Sequence, residues 1–300
     1  MEVSLEGKVA IVTGAGPNIG SGIALALGKY GAKVACNDVN PEAAEACVRR
    51  LERNGCTAMA IPGDVTSEQD VKGYVQKVID TWGKVDILVN NASLLGGRTV
   101  LDETLEGWTR AVNVSGIGNF LNTKYVARHM CERGIKGVIV CIASSSGWQG
   151  TPGAIAYAFH KGGVINFVRA AAVELAPYGI RVNSFTPTMV NPDNPELIAA
   201  RRAGPRPSGI GAGQGDEPWR RPVRSQVRTN MVPMGTTGTP TDIGHCVAWI
   251  CSDYARLITG ADFVVDGGAR AKNWSHIPPE PEHLAGPLPL IKLDVTPETE

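Results

Sequence analysis

The chain has 300 residues, 43% of them hydrophobic and 19% charged, which suits one large α/β domain or two small ones with a sizeable core. Its 29 basic residues balance 29 acidic ones, so nothing favours nucleic acid or an anionic membrane surface as a partner. No apolar run reaches the length of about 18 residues that spans a bilayer, and Met1-Glu2-Val3-Ser4-Leu5-Glu6 lacks the basic and apolar regions of a signal peptide. The chain therefore reads as cytoplasmic. The 7 cysteines are scattered and odd in number. None has zinc-site spacing with histidines, so they read as reduced thiols with no metal site.

The first apolar run, 8–13, ends in Thr13-Gly14-Ala15-Gly16-Pro17-Asn18-Ile19-Gly20 and leads into a helix starting near Asn18. Glycines here let the backbone turn sharply and approach a pyrophosphate. The helix N-terminus then offers free amides and its positive dipole end to the phosphates. Placed after a first strand, the turn predicts a dinucleotide site at Gly14, Asn18, Ile19 and Gly20. The second run, 33–38, closes on Asp38, where a carboxylate would accept hydrogen bonds from the adenosine ribose. A 2′-phosphate there would be repelled, and no Arg or Lys lies within 14–20 or directly after Asp38 to neutralise it. The expected cofactor is NAD rather than NADP.

Asn40-Pro41-Glu42 reads as an N-cap, a proline at the first helical position and an acidic first turn. The third run, 58–62, is followed by Asp64-Val65, beside which the adenine would lie, and then by a second capped helix start, Ser67-Glu68-Gln69-Asp70. Asn90-Asn91-Ala92 follows the fourth run, 85–90, and Ser144 follows the fifth, 137–142.

Next comes Tyr157-Ala158-Phe159-His160-Lys161. In a helix, residues i and i+4 share a face, so the Lys161 ammonium is expected near the Tyr157 phenol. A neighbouring positive charge favours phenolate and pulls the phenol below its usual value of about 10. That makes Tyr157 an acid/base suited to alcohol–ketone chemistry near neutral pH. His160 falls on a different face and reads as structural.

The last strand candidates are 181–185 and 262–266. Most of the runs are Val/Ile-rich and continuous rather than alternating, as strands buried on both faces should be. Repeated β-α-β units with right-handed crossovers predict an α/β fold: a single Rossmann-type, doubly wound parallel sheet of about seven strands flanked by helices. The residues singled out above sit at carboxyl ends of strands, where such sheets bind ligands.

Residues 191–238 are rich in Pro, Gly and Arg and read as a lid, with a helix candidate at 195–203, or as an irregular insertion. Their cluster Arg201, Arg202, Arg206, Arg220, Arg221, Arg224 and Arg228 reads as solvated loop rather than as a site for an acidic group. An NAD-binding catalytic domain is thus expected over 1–270, with a C-terminal extension over 271–300 that packs on a neighbouring subunit or is mobile.

Together these motifs resemble the short-chain dehydrogenase/reductase family over about residues 5–270. The resemblance rests on 13–20, Asp64-Val65, Asn90-Asn91-Ala92, Asn113, Ser144, Tyr157 with Lys161, Asn183 with Pro187, and Asp266-Gly267-Gly268. It implies a catalytic tetrad. Asn113, within Ala111-Val112-Asn113-Val114, would hold a water in a proton relay. Ser144 would hydrogen-bond the substrate oxygen; Ser145 and Ser146 are neighbours, but the spacing to Tyr157 fits Ser144. Tyr157 would be the acid/base, and Lys161 would lower its pKa and bind the nicotinamide ribose. The resemblance also implies a homotetramer or homodimer built on the helices after Glu103 and Ala156.

The chain departs from the family's pattern at four places. Asn18 replaces a glycine of the loop, and Asn tolerates positive φ better than other non-glycine residues. Ser93 replaces the glycine after Asn-Asn-Ala. Thr188 follows Pro187 where the family has glycine, and Pro192 stands for a threonine that fixes the nicotinamide. Val190 is expected to offer its backbone to the carboxamide, and Thr188 its hydroxyl.

The implied activity is hydride transfer between NAD(H) and a small secondary alcohol or ketone. Leu94, Leu95, Trp148, Gln149 and Met189 are expected to line the pocket, which suggests a mainly apolar, cyclic or aromatic substrate. The rival readings are an NADH-dependent carbonyl reductase in the physiological direction, and an inactive dinucleotide-binding sensor or scaffold.

Overall fold

The computed structural model describes residues 3–95, 97–188, 190–191 and 232–271. Each apolar run read from the sequence becomes a strand: β1 (Val9–Val12), β2 (Lys33–Cys36), β3 (Ala58–Ala60), β4 (Ile87–Asn90), β5 (Val138–Ile142), β6 (Arg181–Pro187) and β7 (Asp262–Val265). All six pairings are parallel, and the order across the sheet is β3-β2-β1-β4-β5-β6-β7. The chain works outward from β1 to β3, then crosses back to β4. The reversal leaves a crevice at the carboxyl ends of β1 and β4, the usual place for a ligand in such sheets.

Continuous apolar strands are explained by two cores, one on each face. Ala10 and Val12 of β1 pack into one with Ile23, Leu27 and Ile243. Val9 and Ile11 point the other way and pack with Val126, Met130 and Val168. The first core lies under α1 (Ile19–Lys29), α2 (Pro41–Arg53) and α6 (Pro240–Cys251). The second lies under α3 (Glu68–Trp82), α4 (Leu105–Arg133) and α5 (Ile155–Leu175). Burial on both faces removes any reason for a polar alternation along the strands.

Helix starts follow the cap chemistry. The Asn40 side chain accepts from the Glu42 amide ahead of Pro41, and Ser67 accepts from the Asp70 amide. Asn18 departs from expectation. It precedes α1 with φ −143° and makes no side-chain cap bond, and the positive φ in this turn falls on Gly14, at 61°. No left-handed tolerance is asked of Asn18, so a β-carbon is accepted there.

No helix among the described residues is long and apolar enough to cross a membrane. All seven cysteines are free, four of them buried. The lid or insertion, its Arg cluster, Pro192, Met189 and the C-terminal extension lie outside the described residues.

Candidate active site

The turn after β1 is shaped by what surrounds it. A β-carbon on Gly14 would stand 2.8 Å from the Ala92 Cα, and one on Gly20 would stand 2.1 Å from the Gly14 carbonyl oxygen. Asn91 holds this turn: its Nδ2 donates to the carbonyls of Thr13 (3.1 Å) and Gly14 (2.8 Å). Thr13 Oγ1 accepts in return from the amides of Asn91 (3.1 Å) and Ala92 (3.2 Å). The Asn91 side chain, expected at the cofactor, is thus occupied in fixing the backbone beneath it. Thr13 opens the 13–20 stretch, but its hold on the Asn91 and Ala92 amides spans 78 and 79 residues and leaves no signal in the chain.

Asp38 stands where the sequence placed it. One carboxylate oxygen accepts from the Gly16 amide at 3.1 Å and the other from the Asn40 amide at 3.0 Å. Its neighbour Asn37, also not foreseen, is buried and ties the ends of β2 and β3 by donating to the carbonyls of Ile61 (3.0 Å) and Gly63 (3.1 Å). A polar residue closing an apolar strand was the available signal. Asp64 accepts from the amide and hydroxyl of Thr66, each at 2.8 Å.

A cleft of about 770 Å³ opens above these residues, lined among others by Gly14, Asp38, Asp64, Val65, Leu94 and Asn113. The first-turn amides of α1, including Ile19 and Gly20, have no acceptors within the helix, and the Asn18 side-chain oxygen is buried without a partner. A Gly-lined turn, helix amides, the Asp38 carboxylate at the end of β2 and an unsatisfied Asn18 oxygen fit a dinucleotide.

At the carboxyl end of β5 the chain enters a 3-10 turn, Ser145–Gly147, whose cap is Ser144. Ser144 and Lys161 are buried and Tyr157 is half-buried. The Ser144 hydroxyl favours ionisation of the Tyr157 phenol, but burial is the larger effect and raises its pKa above the usual value. The Lys161 ammonium donates to the Ile142 carbonyl at 2.6 Å and lies 5.6 Å from the centre of the Tyr157 ring. Burial pushes Lys161 down to about 8. The expectation that the Lys161 ammonium would pull the phenol below its usual value is corrected for the chain by itself: burial outweighs the opposing effect, which comes from Ser144. Asn113, on α4, lines the cleft with Asp38 and Asp64, whereas Ser144, Tyr157 and Lys161 are not among its lining residues.

The residues expected to touch substrate divide. Leu94 lines the cleft; Leu95, next to it in the chain, and Gln149 are exposed. Trp148 turns away. Its indole N–H donates to Asp262 at 2.8 Å, and the Arg270 guanidinium stacks 4.4 Å from its ring centre. An indole donor seeks an acceptor, and Asp262 supplies one that no local pattern could reveal. The Thr188 hydroxyl pairs with Ser145 Oγ at 3.2 Å, and Val190 bridges to Gly238. Ser93 is accommodated by a hydrogen bond from Ser115 at 3.4 Å.

Comparison with known proteins agrees with this arrangement. A family model described as short chain dehydrogenase matches residues 8–202, and one described as Enoyl-(Acyl carrier protein) reductase matches 207–270. An uncharacterized oxidoreductase of Thermotoga maritima is 34% identical over 89% of this chain and 98% of its own. The 2-(S)-hydroxypropyl-CoM dehydrogenase 3 of Xanthobacter autotrophicus is 34% identical over 90% of this chain and 100% of its own. The structure of a 3-ketoacyl-(acyl-carrier-protein) reductase from Brucella melitensis complexed with NADH superposes with a TM-score of 0.75 at 32% identity, covering 89% of this chain and 99% of that one. A parallel sheet with this strand order, a dinucleotide cleft at its switch point and these relatives converge: the chain is an oxidoreductase of the short-chain dehydrogenase/reductase family.

Proposed function

We propose that the protein transfers hydride between NAD(H) and a secondary alcohol or ketone, with Tyr157 as acid/base. The observation that carries this reading is the half-buried Tyr157 phenol, set with Ser144 and followed one helical turn later by Lys161, and joined through His160 to Leu94 of a cleft with dinucleotide features. In the oxidative direction the bound nicotinamide supplies the hydride acceptor. Tyr157 takes the hydroxyl proton of the alcohol. Ser144 orients the carbinol oxygen and stabilises the charge that grows on it. Lys161 keeps a positive charge near the phenolate, and Asn113 holds the water through which the proton leaves.

NAD is preferred over NADP because Asp38 lies where a 2′-phosphate would be placed. Pro187 and Val190 are assigned to the nicotinamide side. The substrate is a mainly apolar, cyclic or aromatic molecule, a reading supported by Leu94 in the cleft lining and Leu95 next to it in the chain. Net reduction of a ketone with NADH is the second reading, favoured by the ketoacyl reductase among the structural relatives. An inactive sensor would not need the Tyr157–Lys161 pair.

The test is a panel of cyclic and aromatic alcohols and ketones with NAD(H), followed by Tyr157→Phe on the best substrate. Turnover should fall by about a hundredfold or more, with nucleotide affinity nearly unchanged. A variant that keeps the wild-type rate would refute the role of Tyr157.

A further inference from the structure

His160, read from the sequence as structural, stands 4% exposed between Tyr157 and Lys161 in the chain. Its ring meets the Tyr157 ring edge-on, with centres 5.1 Å apart and planes at 85°. Its Nε2 lies 3.3 Å from the Leu94 carbonyl oxygen. A carbonyl only accepts, so Nε2 carries the hydrogen, and in the neutral ring Nδ1 bears a lone pair. The ring is neutral at ordinary pH, since burial first and the nearby Lys161 second push it down to about 4.

Nδ1 is buried and has no hydrogen-bond partner. A buried acceptor left unpaired costs stability, so filling space does not account for an imidazole here. A phenyl ring would pack against Tyr157 without that cost. What imidazole adds is the donor to Leu94. Leu94 belongs to the cleft lining after β4, whereas Tyr157 belongs to α5. One stiff ring therefore contacts both the 92–95 segment and the Tyr157 ring.

We propose that His160 is a positioning residue that sets the distance between the 92–95 segment and the Tyr157 phenol by donating to the Leu94 carbonyl while packing against the Tyr157 ring. This rests on Tyr157 being the acid/base of the proposed reaction. Reaction geometry is sensitive to displacements of about an ångström, which cost up to about a hundredfold in rate. A loosened 92–95 wall would therefore slow the chemical step more than it weakens nucleotide binding.

Two variants separate the contacts. His160→Phe keeps the ring and removes the donor; His160→Gln keeps an N–H that can reach Leu94 and removes the ring. In His160→Phe, kcat should fall about 10- to 100-fold, with nucleotide Kd from a fluorescence titration within about twofold of wild type and with Tm unchanged or raised. His160→Gln should recover part of the lost kcat. Independently of turnover, amide hydrogen exchange over 92–95 should quicken in His160→Phe and stay slow in His160→Gln. Wild-type kcat in His160→Phe, equal exchange in the two variants, or a rate loss matched by falling Tm and nucleotide affinity together would each overturn the proposal. If instead Tyr157→Phe keeps the wild-type rate, the hydride-transfer reading fails, and the exchange result still decides whether His160 holds the 92–95 wall.

Discussion

At the scale of single residues, the site is built from side chains held in unfavourable ionisation states. Lys161 is the clearest case: an ammonium that is 3% exposed, its pKa lowered from 10.5 to about 8 by burial. The unfolded chain keeps that proton up to 10.5, while the folded chain releases it near 8. Between those values the unfolded state binds more protons, so stability rises with pH through the window, and the penalty is fully present below it. The difference corresponds to about 3 kcal/mol. In urea unfolding, wild type should gain about that much on Lys161→Met between pH 8 and pH 10.5; parallel pH profiles would contradict a buried ammonium. Asp38 carries a different expectation. Asp38→Ala removes the charge that would repel a 2′-phosphate, so the preference for NAD over NADP, measured as the ratio of kcat/KM values, should narrow about tenfold, or about 1.4 kcal/mol. An unchanged ratio would place cofactor choice elsewhere.

At the scale of elements, long-range hydrogen bonds join the turn after β5 to the far edge of the sheet. Asp262, at the start of β7, accepts from Ser184 (2.7 Å) and Thr186 (2.9 Å) of β6 and from the Trp148 indole (2.8 Å). The Ser145–Thr188 contact adds a second link between that turn and the segment after β6. The buried hydroxyls of Ser184 and Thr186 have no water to turn to if the carboxylate is removed. Asp262→Ala should therefore cost about 2–4 kcal/mol, read as a lower urea midpoint. An unaltered midpoint would mean that these bonds are replaced without loss. Elements were legible where their determinants are local. Asn40 and Ser67 cap the helices that follow them, and the strands coincide with apolar runs. The Trp148–Asp262 bond was not legible because its partner lies 114 residues away, and spacing along the chain says nothing about such a distance.

At the scale of the whole molecule, the two cores are buried but α4 and α5 keep large apolar side chains on their outer faces. Phe120 is 52% exposed and Phe159 is 58% exposed, with Phe159 packed only obliquely on Trp108, ring centres 4.9 Å apart. If the dimer or tetramer that the family resemblance implies is built on these helices, these side chains would be covered by it. Light scattering should give a multiple of 31.7 kDa, and Phe120→Asp combined with Phe159→Asp should shift it to a smaller species. A wild-type protein at 31.7 kDa would reject the assembly.

The sequence by itself determined the order of strands and helices, the glycine turn at Gly14 and Gly20, the carboxylate at Asp38 and the helical pairing of Tyr157 with Lys161. Each depends on residues close together in the chain, where apolar periodicity, cap chemistry and the 3.6-residue repeat act directly. Only the tertiary structure decided which way the Tyr157 phenol shifts, that the Asn91 amide fixes the turn at Thr13 and Gly14, that the Trp148 indole donates to Asp262, and that His160 joins Leu94 to the Tyr157 ring. Those outcomes depend on burial and on partners brought in from other strands, and the cost of taking a charge or a donor out of water is set by what surrounds it after folding.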